Sequence, residues 1–152
     1  MSLHYGTKLT QHPSLEAAAE AAIARHSHYH TDVAGWLLRA EAVSYAVSDE
    51  YGDYVSSRPG IELFAFPVVR WTPCGATILP IWGHRTRSWV RLDNPGNQWA
   101  SRTAREAIRQ LMLRRKRQQY ILQRQLARAK EEEHLASCAI NWRDVEPVPL
   151  GA

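Results

Sequence analysis

The stretch IELFAFPVVRWTPCGATILPIW, residues 61–82, decides the fold. Two apolar runs rich in aromatic and β-branched residues flank the four residues Thr72 to Gly75, with Pro73 second and Gly75 fourth, which fits a type I turn. The reading is a β-hairpin. Pro67 and Pro80 lie inside the runs and lack a backbone N–H, so they belong at an edge or a bulge. After GHRT, the segment SWVRL (88–92) supplies a third short strand that stops at the turn DNPGN. A meander of about three antiparallel strands is stable only with helices over one face. The expected class is therefore α+β.

Upstream, Ser14 follows Pro13 and precedes LEAAAEAAIAR, an alanine-rich segment that predicts a capped helix to about Arg25. In the next segment Val33, Trp36, Leu37, Ala40, Val43 and Val47 recur at helical spacing with Asp32 as a possible cap, which predicts a second helix. A strand pair competes for the same residues, since Ala42 to Val47 also alternates and Gly35 disfavours a helix by about 1 kcal/mol.

Downstream, Thr103 and Glu106 have capping-box spacing and open a helix expected over 103–137. At 100° per residue, Ala104, Ile108, Leu111, Leu122, Leu126 and Ala129 form one stripe, interrupted by Arg115 and Gln118. Arg102, Arg105, Arg109, Lys116, Arg117, Arg124, Arg128 and Lys130 fall in an arc of about 160° on the other side. Between Arg102 and Lys130 the only acid is Glu106, so i,i+4 Glu–Lys pairs do not neutralise this face. The interruption suggests a first half that belongs to the core and a second half that projects. Exposed Leu122 and Leu126 would then seek another helix, giving a homodimer.

The 152 residues suit one domain, 1–152, with an extended tail over 141–152. Charge is uneven: residues 1–97 carry 8 Lys/Arg against 9 Asp/Glu, and residues 98–152 carry 11 against 6. A basic carboxy-terminal third points to a polyanion. Guanidinium groups donate two bonds at once to phosphate oxygens, so DNA or RNA is the expected partner, with Arg85 and Arg87 as additional contacts. An acidic protein surface is the alternative. No apolar run reaches the ~20 residues of a membrane span, and the amino terminus lacks a signal-peptide pattern, so a cytoplasmic protein is expected. Cys74 and Cys138 are expected as free thiols.

Catalytic signals are sparse. GxSxG, GxxxxGK and CxxC are all missing. Trp71, Trp82 and Trp89, with Arg70, Arg85, Arg87 and Arg91 among them, could serve as core or as a base-stacking platform. His84 stands in the loop GHRTR, and His134 with Cys138 makes half of a zinc site. His26, His28, His30 and Asp32 alternate through HSHYHTD, and on an extended backbone they would share one side. His28, His30 and Asp32 partly resemble the HxHxDH string of metallo-β-lactamase-like hydrolases, with Val33 in place of the next histidine. A metal-dependent hydrolase is thus a third reading, while the leading one is non-enzymatic, with no metal or cofactor.

Overall fold

The computed structural model describes residues 6–27, 30, 32–79 and 87–143. They fall into two compact units, Met1–Leu113 and Arg114–Ala152. The first unit is α+β. Its antiparallel sheet has five strands: β1 (Thr7–Lys8), β2 (Gly35–Ser48), β3 (Tyr54–Thr72), β4 (Gly75–Ile78) and β5 (Ser88–Arg91). A short 3-10 turn, Leu9–Gln11, and helix α1, Leu15–Ser27, lie between β1 and β2. Helix α2 covers Ala104–Arg143 and so runs past the expected end at 137 into part of the expected tail.

The hairpin read from residues 61–82 is present. Thr72 pairs with Gly75 across Pro73 and Cys74, and β4 continues the meander into β5. Strand β3 is longer than its apolar run. Its first residues, Tyr54 to Gly60, pair with β2 although Pro59 and Gly60 suggest a break. Gly60 is needed there because the Tyr45 ring lies against it; a Cβ would come within 2.0 Å of the ring. The β2–β3 connection is tied by Asp49, whose Oδ1 accepts the N–H groups of Tyr51 and Asp53, and Gly52 takes φ +84°.

The segment from Val33 to Val47, expected as a second helix, is strand β2. Helical spacing in its leucines and alanines reflects two buried neighbours, Leu37 and Leu38, that face opposite sides of the sheet. Thirteen residues of β2 pair in continuous register with β3, from Gly35 opposite Val68 to Val47 opposite Ser56, and the register shifts before the last pair, Ser48 with Tyr54. This long-range ladder outweighs local helix propensity.

Pro67 sits in the interior of β3, opposite Trp36. Its carbonyl accepts the Leu79 N–H, on the β4 side. A strand residue presents its N and C=O on the same side, so the missing N–H faces β4 and removes nothing from the β2 ladder. The β3–β4 register shifts just beyond, between Val68 and Arg70, in agreement with the expected bulge.

Two cores flank the sheet. On one face Ala18 and Ala22 of α1 and Ala104, Ala107 and Leu111 of α2 cover Leu38, Ala40, Leu63 and Ala65. Alanine on the helices allows close approach to the strands. On the other face Leu37, Phe64, Phe66, Val68, Ala76, Ile78 and Val90 cluster with Ala100. Trp99 meets Phe66 edge-on at 4.8 Å between centroids. Burial of each large side chain contributes about 1.5–3 kcal/mol, which makes Phe66, Leu37 and Leu63 sensitive positions.

Both helix starts follow the sequence. Ser14 Oγ accepts the Ala17 N–H at 3.1 Å, and Thr103 Oγ1 accepts the Glu106 N–H at 3.2 Å. The residues before α2 also close the free edge of β2, where Leu38 and Ser101 exchange two backbone hydrogen bonds of 2.7 Å. Gln110, buried on α2, accepts the Gln98 N–H at 3.0 Å and donates to the Pro95 carbonyl at 2.7 Å.

Candidate nucleic-acid interface

The basic side chains named from the sequence divide between the two units. In the first, Arg102 precedes α2 and its guanidinium lies 5.1 Å from the Trp71 ring centre, a cation–π contact that holds the charge in place. Arg105 and Arg109 are exposed on the first turns of α2, on the side away from Ala104, Ala107 and Leu111. Arg87 is exposed just before β5, and Arg85 falls outside the described residues.

In the second unit, Lys116, Arg117, Arg124, Arg128 and Lys130 occupy one side of an uninterrupted helix on which every described side chain from Arg115 to Asn141 is exposed. Arg128 is engaged with Glu132 one turn later, at 2.8 Å. Exposure on both partners makes that pair worth only a few tenths of a kcal/mol. Arg124 stacks over the Tyr120 ring at 5.7 Å. Lys116 and Lys130, like Arg105 and Arg109, have no ion pair among the described residues. No acid lies between Glu106 and Glu131, so local carboxylates leave the positive potential of this face largely in place. Tyr120 and Ile121, 59% and 53% exposed, add apolar surface between the cations.

The chain matches no family model, curated protein or solved structure in comparisons with each.

The tryptophans do not make one platform. Trp71 pairs with Ala76 and Trp89 with the next residue, Thr77, so the two rings leave opposite faces of the sheet. Trp71 donates to the Ala34 carbonyl and Trp89 to Thr72 Oγ1, and Trp82 is outside the described residues. Arg91 is tied to Asp93, a bond that raises the arginine pKa and holds the carboxyl below its ordinary value.

The histidine string is not one extended ligand strand. His26 closes α1 and is buried, His30 meets Trp36 edge-on, and His28 lies outside the described residues. Among the described residues no three His, Cys, Asp or Glu side chains converge as metal ligands. His134 Nε2 and Cys138 Sγ are 3.7 Å apart on an exposed helix face, and both cysteines are free and exposed. His84 also falls outside the described residues.

One polar site was not foreseen. A cleft of about 500 Å³ beside β1 is lined by Lys8, His12, Arg25, Tyr45 and Glu62 among others. Glu62 is only 2% exposed, and its Oε1, like the Tyr45 hydroxyl, is buried without a hydrogen-bond partner among the described residues. Burial pushes the Glu62 carboxyl above its ordinary pKa, while Lys8 and Arg25 pull it back. Burial also raises Tyr45, assisted by the charge of Glu62 and opposed by Arg58. The single carboxylate inside the apolar run IELFAF is the sequence signal that marks this position.

Proposed function

We propose that the protein binds DNA or RNA without catalysis, through phosphate contacts made by the basic face of α2. The supporting observation is the arc of Lys116, Arg117, Arg124, Arg128 and Lys130 along an exposed helix with no acid from residue 107 to residue 130. Each cation displaces condensed counterions as it meets a phosphate, and the affinity follows from that release. Arg102, Arg105, Arg109, Arg85 and Arg87 add contacts in the first unit. The same side chains would also suit an acidic protein surface, but guanidinium forks spaced along a helix, with Tyr120 and Ile121 beside them, match a phosphate backbone better.

With four or five phosphates engaged, the logarithm of the affinity falls against the logarithm of salt with a slope of about −4. Fluorescence anisotropy with mixed-sequence DNA and RNA at two salt concentrations measures it. Binding that is undetectable at ~50 mM salt removes the reading, because this electrostatic term is strongest there.

A further inference from the structure

The side of α2 opposite its basic arc carries a second pattern. Arg115, Gln119, Leu122, Leu126, Ala129, Glu133, Ala136 and Ile140 follow one another at alternating steps of four and three, the a/d spacing of a coiled coil. At 100° per residue they share a stripe of about 100°, and the basic arc lies outside it. Leu122, Leu126 and Ile140 on this stripe are 53%, 56% and 63% exposed. A helix this bare gains nothing from burial, and a second helix laid along the stripe would supply it.

The charges on the stripe identify that second helix. It holds one cation, Arg115, and one anion, Glu133, placed symmetrically about residue 124. In a parallel pair of copies Arg115 would face Arg115 and Glu133 would face Glu133. In an antiparallel pair centred on residue 124, Arg115 faces Glu133 at both ends, Leu122 faces Leu126 in the middle, and Gln119 faces the small Ala129. Sliding the pair by one heptad in either direction sets Arg115 or Glu133 against an apolar residue, at the cost of an unpaired buried charge. One flanking opposition, Lys116 with Lys130, is unfavourable, and it lies at the solvated margin where lysine can turn into water.

We infer that residues 115–133 of α2 pair with the same segment of a second copy as an antiparallel coiled coil centred on residue 124, with Arg115–Glu133 pairs fixing direction and register. The inference is independent of nucleic-acid binding, because it uses the other side of the helix. Pairing turns both basic arcs outward and doubles the number of cations offered to a polyanion.

The test uses the full chain without nucleic acid. Light scattering coupled to size exclusion is expected to give twice the monomer mass at ~50 µM and to shift toward monomer on dilution. Arg115→Glu and Glu133→Arg each weaken the dimer at least about tenfold by opposing like charges at both ends, and the double variant recovers the affinity. In a Cys74→Ser background, spin labels on Cys138 should lie about 40 Å apart, since 28 helical residues of 1.5 Å separate them across the pair. A monomer at 50 µM, a double variant no tighter than the single ones, or labels within ~20 Å as in a parallel pair would each overturn the inference.

Discussion

Replacing Gln110 by Leu removes the polar link between α2 and the segment before it without changing the side-chain volume much. Gln110 is 5% exposed, and its two bonds go to backbone groups, the Gln98 N–H at 3.0 Å and the Pro95 carbonyl at 2.7 Å. Among the described residues neither group has an alternative protein partner, since Gln98 itself donates to Leu92 and accepts from Ser101. Gln98 is half-buried, so its unpaired N–H costs about 1–3 kcal/mol, whereas Pro95 is exposed and water limits the loss at its carbonyl to about 0.5–1.5. Placing a leucine in a buried site returns about 1–2 kcal/mol of transfer energy, and water reaching the partly buried segment offsets a little more. The expected net loss is about 1–2 kcal/mol. Urea unfolding followed by tryptophan fluorescence, at one protein concentration, measures it; Gln110→Met controls for side-chain shape. A loss below ~0.5 kcal/mol in both variants would refute the claim that this amide anchors the segment, because scatter among surface substitutions is of that size.

Glu62→Gln is expected to stabilise the fold at pH 7. The folded carboxyl has its pKa raised, so between its unfolded and folded values the folded state holds more protons, and stability falls as pH rises through that window. The advantage of the glutamine should vanish below ~pH 4, where the carboxyl is neutral in both states; unfolding curves at pH 4 and pH 7 that differ equally between the two proteins would contradict it. Gly60→Ala should cost about 1–3 kcal/mol by driving a methyl group into the Tyr45 ring, and the cost should largely disappear in a Tyr45→Ala background. Lys116→Gln and Arg124→Gln should each lessen the salt slope of nucleic-acid binding by about one, with little sequence dependence; slopes equal to that of the unaltered protein would exclude those side chains as phosphate contacts.

What could be read in advance was local. The start of α2 is written in Thr103 and Glu106, the start of α1 in Ser14, and the β3–β4 turn in Pro73 and Gly75. Strand β2 was hidden because its leucines and alanines satisfy a helix locally, and only pairing with residues 54–68 makes them a strand. The same long-range pairing hid the first third of β3, where Pro59 and Gly60 read as a break until Tyr45 is placed against the glycine. For the candidate interface, the arginines and lysines of α2 could be named from periodicity alone, since a helix converts spacing into direction. Glu62 could not, because its burial depends on β1, α1 and Tyr45, which come from three other parts of the chain.

The β2–β3 ribbon has a further consequence for how the first unit opens. Among the described residues β1 pairs only with Leu63 and Glu62, and β4 pairs with β3 only from Val68 onward, so Tyr54 to Ile61 have β2 as their one strand neighbour. Most side chains in this outer part, from Ser44 to Arg58, are exposed. Its amides need only the ribbon to fray before they exchange with solvent, whereas those of Leu63 to Val68 are released when both cores separate. Proteolysis and hydrogen exchange should therefore begin at the tip near Gly52, and a cut there would leave the two cores and the start of α2 standing.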